Sequence, residues 1–210
     1  MIDLNNLKNI VFDLGGVLLN LDFDASIKAF QKLGLDNAIS DKGLAYSDNV
    51  FYELETGKIS PGKFRDRIRI ILNNVTASDM EIDDAWCSMI LDIPEEKVKV
   101  LQHLNNDFNI YLFSNTNQIH ISRLHKWFEL TYGFGFPSLF TKDIYSHEIH
   151  KRKPDRESFE KVIEITGINP LESLFIDDLE KNIKGAEEAG FRTFWFNNPQ
   201  KLGDLFPGKF

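Results

Sequence analysis

The chain is short of cysteine and of long apolar runs, and each shortage excludes a class of protein. Its one cysteine, Cys87, excludes an internal disulfide and suits a reducing compartment. No run approaches the ~20 apolar residues that a membrane-spanning helix needs, and residues 1–9 hold no segment apolar enough for a signal peptide. We therefore expect a cytoplasmic protein with no membrane partner.

Positive charge is also in deficit. The 24 basic residues are outnumbered by 32 acidic ones, which gives a formal net charge of −8. Because affinity for nucleic acid comes largely from neutralising its phosphates, we expect no nucleic-acid partner. With 210 residues, of which 42% are hydrophobic, the chain is large enough for one domain, or for a core with a modest insertion.

The residues from Ile10 to Val17 form an apolar run that ends in one carboxylate and two glycines. A strand that is apolar on both faces is typical of the middle of a parallel sheet, and such sheets bind ligands at the carboxyl ends of their strands. Asp13 is therefore expected at the mouth of a site, where the glycines let backbone N–H groups point at an anion. Taken alone, the segment fits an aspartate that caps a helix equally well.

Three later segments favour the site. Ser114, at the head of Ser-Asn-Thr-Asn, follows a second apolar run, and Lys153 directly precedes a proline and a predicted helix start. A third apolar run ends in the paired carboxylates of Asp177 and Asp178. Each segment alone is weak, but the four in this order are specific.

On these segments the chain resembles the haloacid dehalogenase-like phosphohydrolase superfamily, and most of all its small bacterial sugar-phosphate (glucose-1-phosphate) phosphatases. The resemblance spans nearly the whole chain, from Ile10 to about Phe196. It is carried by Phe-Asp-Leu-Gly-Gly-Val at 12–17, Ser-Asn-Thr-Asn at 114–117, Arg-Lys-Pro at 152–154 and Phe-Ile-Asp-Asp at 175–178, followed by Asn-Ile at 182–183 and Gly-Ala at 185–186. It implies an α/β fold with a Rossmann-like, doubly wound parallel sheet.

Between the first two motifs the sequence reads almost wholly helical. Ser60-Pro61 is an N-cap followed by proline at the first helical position, and Ser78 with Glu81 forms a capping box. The resemblance implies that this insertion is a C1 cap, a small helical bundle over the active site, and Glu-Thr-Gly-Lys-Ile-Ser at 55–60 looks like a turn of such caps. We expect the core to comprise residues 1–21 and 95–210, and the cap residues 22–94.

Covalent hydrolysis of a phosphate monoester needs a nucleophile and cancellation of the phosphoryl group's negative charge. The resemblance implies that Asp13 is the nucleophile, forming an aspartyl-phosphate, and that Lys153 contacts the phosphoryl group. It also implies a Mg²⁺ cofactor held by Asp13, by Asp178, by the backbone carbonyl of Gly15 and, through water, by Asp177. Ligands that are all oxygen suit Mg²⁺ rather than Zn²⁺.

The phosphate is expected to bind the Ser114 hydroxyl, the Asn115 N–H and the backbone of Leu14 and Gly15. Ser114 also fits a helix cap. Asn182, one helical turn beyond Asp178, fits either a side chain that orients a metal-bound water or a cap.

The sequence departs from the family pattern at two positions. Many members carry a second aspartate, a general acid, two residues after the nucleophile, where this chain has Gly15. Asp22 and Asp24 lie soon after and are possible sources of a carboxylate, although Asp24 fits a helix cap better. The second position is His150, where glycine is expected; histidine tolerates a positive φ less well, so this loop is a candidate for reshaping.

Two other functions stay open. An L-2-haloacid dehalogenase also lacks the second aspartate, but its metal-free site gives the paired Asp177 and Asp178 no purpose. A non-catalytic ligand-binding protein would explain Gly15 directly. We expect an enzyme, a Mg²⁺-dependent phosphatase acting on a small phosphorylated metabolite, with a sugar phosphate as the first candidate. The sequence does not indicate an oligomeric state.

Overall fold

Five parallel strands form one sheet at the centre of the protein. A computed structural model describes residues 2, 4–36, 49–197 and 201–206. The strand order is β3-β2-β1-β4-β5, and all four pairings are parallel. In chain order the strands are β1 (Asn9–Phe12), β2 (Asn109–Ser114), β3 (Lys142–Tyr145), β4 (Ser173–Asp177) and β5 (Arg192–Trp195).

After β1, four helices lie in the described part of residues 22–94: α1 (Phe23–Lys32), α2 (Val50–Glu55), α3 (Pro61–Ile71) and α4 (Asp79–Cys87). Ser60 caps α3 by accepting a hydrogen bond from the Lys63 N–H, and both bonds of the Ser78–Glu81 capping box are present on α4. The predicted starts of these two helices are confirmed.

Five further helices belong to the part of the chain that carries the remaining strands. They are α5 (Glu95–Leu104), α6 (Gln118–Tyr132), α7 (Ser146–Ile149), α8 (Arg156–Thr166) and α9 (Glu180–Glu188). Short 3₁₀ helices span Phe136–Leu139, Pro170–Glu172 and Leu202–Leu205.

Helices cover both faces of the sheet because the strands are apolar on both sides. Ile10 and Phe12 of β1 pack into one buried cluster with side chains from α5 and α6, whereas Val11 packs into a second cluster with side chains from α8 and α9. Alternation along each strand produces this division. The doubly wound α/β fold predicted from the sequence is confirmed.

The helices α1 to α4 have a buried cluster of their own, to which α6 contributes Ile119. The two chain connections to this unit run side by side: the Asp22 N–H donates to the Met89 carbonyl at 2.9 Å, and the Leu91 N–H to the Asn20 carbonyl at 3.1 Å. The division into a core of residues 1–21 and 95–210 and a cap of residues 22–94 stays a prediction. Residues 37–48 of that cap, and the terminal residues 207–210, lie outside the described residues.

No helix in the described ranges has the length and apolar character needed to cross a membrane. Cys87, expected on the buried side of a helix, is buried at the end of α4.

An aromatic contact joins α6 to α4. The His120 ring stacks on the Trp86 ring with centroids 4.6 Å apart, and its Nε2 lies 3.2 Å from the Trp86 carbonyl oxygen. Burial lowers the pKa of His120 from 6.5 to about 4, partly opposed by that carbonyl and by Asp83. The folded protein therefore holds His120 neutral at neutral pH.

This burial predicts a pH-dependent loss of stability. Because the unfolded chain binds a proton at His120 at higher pH than the folded protein does, His120 lowers the free energy of unfolding as pH falls from about 6.5 towards 4, by at most about 3 kcal/mol. His120→Gln should reduce by that amount the stability lost between pH 7 and pH 4, measured by urea denaturation. The control is His103→Gln, an exposed position on α5, which should keep the wild-type dependence; His120→Gln with the same dependence would contradict the assignment.

Candidate active site

The ends of the central strands place the predicted site residues side by side. The last residue of β1, Phe12, is in register with Leu112 of β2 and Ile176 of β4. Asp13 and Asp177 then follow on neighbouring strands, and the Asp13 N–H donates to the Ile176 carbonyl at 2.9 Å. The sheet order therefore brings together carboxylates that are more than 160 positions apart in the sequence.

Lys153 links these two carboxylates. Its Nζ lies 2.8 Å from Asp13 Oδ1 and 2.7 Å from Asp177 Oδ2, and its side chain is 1% exposed. The faces of the Phe113 and Phe175 rings also lie beside the ammonium, with centroids 5.3 and 5.2 Å away. Burial lowers the pKa of Lys153, but the two carboxylates outweigh that effect and hold the pKa above its ordinary value.

The other charges at the site show the same competition. Burial raises the pKa of Asp13 from 3.8 to about 7, with Lys153 lowering it and Asp177 raising it further. The Leu14 N–H donates to Asp13 Oδ1 at 2.7 Å and also favours the ionised form. Burial and the Asp177 charge likewise raise the pKa of Asp178. The carboxyl groups of Asp13, Asp177 and Asp178 therefore lie close enough to influence one another's ionisation.

Asp177 is fully buried, and protein groups hold both of its oxygens. The Leu179 N–H donates to Oδ1 at 2.9 Å, and the Asn182 amide donates to Oδ1 and Oδ2, each at 3.0 Å. The sequence left two roles open for Asn182, orienting a metal-bound water or capping a helix. The structure shows a third role, in which Asn182 fixes the carboxylate that in turn holds Lys153.

Asp13, Asp177 and Asp178 could together hold a metal ion. Each offers one carboxylate oxygen, and these atoms all lie within 4.8 Å of one another. Hard oxygen donors are the ligands that Mg²⁺ prefers, and the excess of carboxylates would be compensated by a divalent cation. Because Asp177 already accepts bonds on both oxygens and Asp178 is half-buried beside the cavity, the arrangement favours Asp178 as a direct ligand.

Gly16 allows Asp178 to approach the loop after β1. Its φ is +75°, and a Cβ at this position would lie 2.4 Å from Asp178 Oδ2. Any side chain would therefore displace the carboxylate. The pair of glycines noted in the sequence has this steric reason at its second position.

Ser114 and Asn115 end β2 on the same side of the site. Ser114 is 3% exposed and lines the cavity described below. It does not cap α6, because that cap is Asn117, whose side chain accepts from the Ile119 and His120 N–H groups. The Asn115 side chain accepts from the Lys153 N–H and donates to the Lys153 carbonyl, both at 2.9 Å. The sequence had assigned only the backbone of Asn115, so this clamp on Lys153 was missed.

Two expectations from the sequence need correction. Asp22, not Asp24, caps α1, by accepting from the Ala25 N–H at 3.2 Å. Neither aspartate lines the cavity, so neither replaces a carboxylate at Gly15. His150 itself adopts the left-handed conformation, with φ at 56°, and its Nδ1 lies 2.9 Å from the Thr56 carbonyl oxygen. The loop thus takes the backbone conformation that glycine favours, and His150 uses it to contact the segment after α2.

A cavity of about 1140 Å³ opens at this edge of the sheet. Residues from both parts of the fold line it. The predicted residues Asp13, Leu14, Gly15, Ser114, Asn115, Lys153 and Asp178 all line it, and Phe23, Phe51, Tyr52, Glu55, Trp86 and Met89 line it from the helical insertion. Glu55 begins the turn that resembles those of C1 caps, but no function was predicted for its side chain from the sequence.

The family model for haloacid dehalogenase-like hydrolases matches residues 7–190. Among named proteins, the chain is 32% identical over 188 residues to a D-ribitol-5-phosphate phosphatase of Bacteroides thetaiotaomicron, covering 90% of this chain and 91% of that protein.

Solved structures show the same relationship. A HAD family enzyme from Bacteroides thetaiotaomicron, crystallised with magnesium and inorganic phosphate, has a TM-score of 0.85 and 39% identity, covering 95% of this chain and 99% of that one. A predicted HAD-like hydrolase from Porphyromonas gingivalis has a TM-score of 0.84 and 32% identity, covering 93% of each chain.

Gly16→Ala should weaken binding of a divalent cation because the added methyl group displaces Asp178. We expect the dissociation constant for Mg²⁺, measured by calorimetry, to rise by roughly tenfold or more. Gly133→Ala is the matched control, since Gly133 has a φ of +78° and open space around its Cβ position. Both substitutions carry a similar backbone cost of roughly 1–2 kcal/mol, so equal Mg²⁺ affinity in the two variants would refute this role of Gly16.

Proposed function

The chain belongs to the haloacid dehalogenase-like hydrolases, and on that premise we propose that it is a Mg²⁺-dependent phosphatase. Its substrate is a small phosphorylated sugar or polyol, and the reaction passes through an aspartyl-phosphate on Asp13. The observation that carries the proposal is the position of Asp13 at the cavity, beside the Lys153 ammonium and two further carboxylates that suit a divalent cation.

The first chemical step joins a carboxylate oxygen of Asp13 to the phosphorus atom and breaks the bond from phosphorus to the ester oxygen. The leaving oxygen takes a proton from water and departs as an alcohol. A carboxylate attacks a phosphate dianion only where their repulsion is cancelled, and Lys153, 2.8 Å from Asp13, supplies one positive charge. When bound, Mg²⁺ would supply further charge neutralisation, held by Asp13, Asp178 and the Gly15 carbonyl.

In the second step, water attacks the phosphorus, the aspartyl-phosphate bond breaks, and inorganic phosphate leaves with Asp13 restored as a carboxylate. The Ser114 hydroxyl and the Asn115 N–H, at the end of β2, would donate to the phosphoryl oxygens. The Leu14 N–H donates to Asp13 Oδ1 and would exchange that bond for one to a phosphoryl oxygen. Asn115 keeps Lys153 in place throughout, because its two hydrogen bonds fix the lysine backbone.

Two observations favour a phosphatase over an L-2-haloacid dehalogenase. In a metal-free site, Asp177 and Asp178 would repel a carboxylate substrate. In a metal-dependent phosphatase, their negative charge favours binding of the divalent cation. A relative whose match covers 90% of this chain is named as a phosphatase. Gly15 in place of the general acid implies that the alcohol product is protonated without help from that position.

The substrate class follows from size and relationship. A cavity of about 1140 Å³ suits a small metabolite rather than a phosphoprotein. The phosphatase of Bacteroides thetaiotaomicron is named for D-ribitol 5-phosphate, an acyclic polyol ester. The test is phosphate release from a panel of pentitol, pentose and hexose phosphates and an aryl phosphate, with and without Mg²⁺; release independent of Mg²⁺, or none, would refute the proposal.

Asp13→Asn should abolish turnover, because an amide is a poor nucleophile while its volume is nearly that of the carboxyl. We expect kcat to fall on the order of a thousandfold or more. Asp84→Asn, which alters an exposed ion pair with Arg123 away from the cavity, is the matched control and should keep wild-type kcat. Turnover of Asp13→Asn near the wild-type rate would remove Asp13 from the mechanism.

Asp178→Asn should weaken the metal site while leaving the nucleophile, Asp13, in place. Losing a ligand charge is expected to raise the Mg²⁺ concentration for half-maximal activity by at least about tenfold. Asp155→Asn, close to Lys153 in sequence but outside the carboxylate group, should leave it unchanged. An unchanged Mg²⁺ requirement in Asp178→Asn would place the cation on other residues.

A further inference from the structure

The cavity extends well beyond the residues that would hold a phosphate. Its volume of about 1140 Å³ slightly exceeds the range of roughly 300–1,000 Å³ that is typical of small-ligand sites, so a leaving group also fits inside. Much of the lining from the insertion is apolar, including Phe23, Ile27, Phe51 and Met89. Polar side chains also line the cavity, and we call four of them the seam cluster: Tyr52 and Glu55 from α2, Arg152 from the loop before Lys153, and Lys181 from α9.

The seam cluster is centred on an ion pair between the insertion and the core. Glu55 Oε2 lies 3.2 Å from Arg152 Nη2, and the two side chains are 22% and 26% exposed. The Arg152 guanidinium also lies over the Tyr52 ring, 5.4 Å from its centroid. The Ser146 hydroxyl donates to the Glu55 carbonyl oxygen at 2.6 Å, which fixes the end of α2 against the core. The pair is therefore held in place yet accessible from the cavity.

The cluster has hydrogen-bonding capacity to spare. The ion pair with Arg152 engages Glu55 Oε2, which leaves the second carboxylate oxygen for a ligand. The Arg152 Nε is buried and likewise has no hydrogen-bond partner within the described part of the chain. Burial raises the pKa of Glu55, while Arg152 and Lys181 lower it. A carboxylate and a guanidinium thus stand side by side at the cavity wall.

The pairing of Glu55 with Arg152 restricts which chemical groups of a ligand can bind there. Glu55 would repel a ligand carboxylate, and Arg152 and Lys181 would repel a ligand ammonium. An apolar group would displace water from Glu55 and Arg152 without replacing its hydrogen bonds. A hydroxyl group both donates and accepts, so it can donate to Glu55 and accept from Arg152. Neighbouring hydroxyls of a polyol satisfy both partners at once.

We propose that Glu55 and Arg152 determine specificity by binding hydroxyl groups on the leaving group, so that the enzyme selects polyol and sugar phosphates over esters without hydroxyls. This inference rests on the proposed phosphatase function. It places the specificity of the site at the contact between the insertion and the core, away from the residues that hold the phosphate.

The test measures binding separately from chemistry. Hydrolysis of p-nitrophenyl phosphate with Mg²⁺ reports catalysis, while ribitol 5-phosphate and n-pentyl phosphate serve as competing ligands that differ in their hydroxyl groups. Glu55→Gln should raise the inhibition constant of ribitol 5-phosphate by about tenfold to a hundredfold. It should change that of pentyl phosphate, and kcat/KM for the aryl ester, by less than about threefold.

Glu53→Gln is the matched control. Glu53 lies on the same helix in an ion pair with Arg67, but does not line the cavity, and its substitution should leave all three values near those of the wild type. Equal weakening of both competing ligands by Glu55→Gln, or no weakening of either, would overturn the inference while leaving the phosphatase intact. A wild-type protein that does not hydrolyse the aryl ester with Mg²⁺ would instead refute the proposed function.

Discussion

The site depends on one buried ammonium between two carboxylates. Lys153 lies 2.8 Å from Asp13 and 2.7 Å from Asp177, almost completely out of contact with solvent. Burying any one of these charges alone would cost several kcal/mol, and the cost is offset only when partners are close and further hydrogen bonds complete the set. The surrounding polar groups are arranged to do this: Asn182 and the Leu179 N–H hold Asp177, and Asn115 holds the lysine backbone.

The sheet makes this arrangement possible. β1 pairs with β2 on one side and with β4 on the other, so the residues after each strand meet at one edge although the intervening segments are long. The inserted helices connect to the core through two adjacent chain segments. They contact the core again at Glu55 and Trp86. The chemical groups thus lie on the rigid sheet, and the groups proposed to read the substrate lie where the insertion meets it.

Local sequence patterns were enough to predict the fold and the position of the site. Ile10 to Phe12 and Leu174 to Ile176 could be recognised as buried strands because every residue is apolar, and the capping box at Ser78 marked the start of α4. Contacts between distant segments carry no such local signal. The bonds from Asn115 to Lys153, across 38 positions, and the pairing of Glu55 with Arg152 appear only once the chain is folded.

The capping residue of α1 was misassigned for a related reason. Asp22 and Asp24 both suit a helix start, and only the backbone geometry shows that Asp22 accepts the capping bond. The role of Asn182 could not be predicted correctly because its helical spacing from Asp178 indicated a position near that residue. The bend between β4 and α9 turns its amide towards Asp177 instead.

The central claim is that Asp13 carries the phosphoryl group during turnover. The most direct measurement is acid quenching within the first turnover with Mg²⁺ and ribitol 5-phosphate, followed by mass spectrometry of the peptides. The account predicts a phosphoryl group, labile to alkali, on Asp13. Phosphate release with no phosphorylated peptide at any time in the first turnover, or a phosphoryl group on another residue, would contradict it.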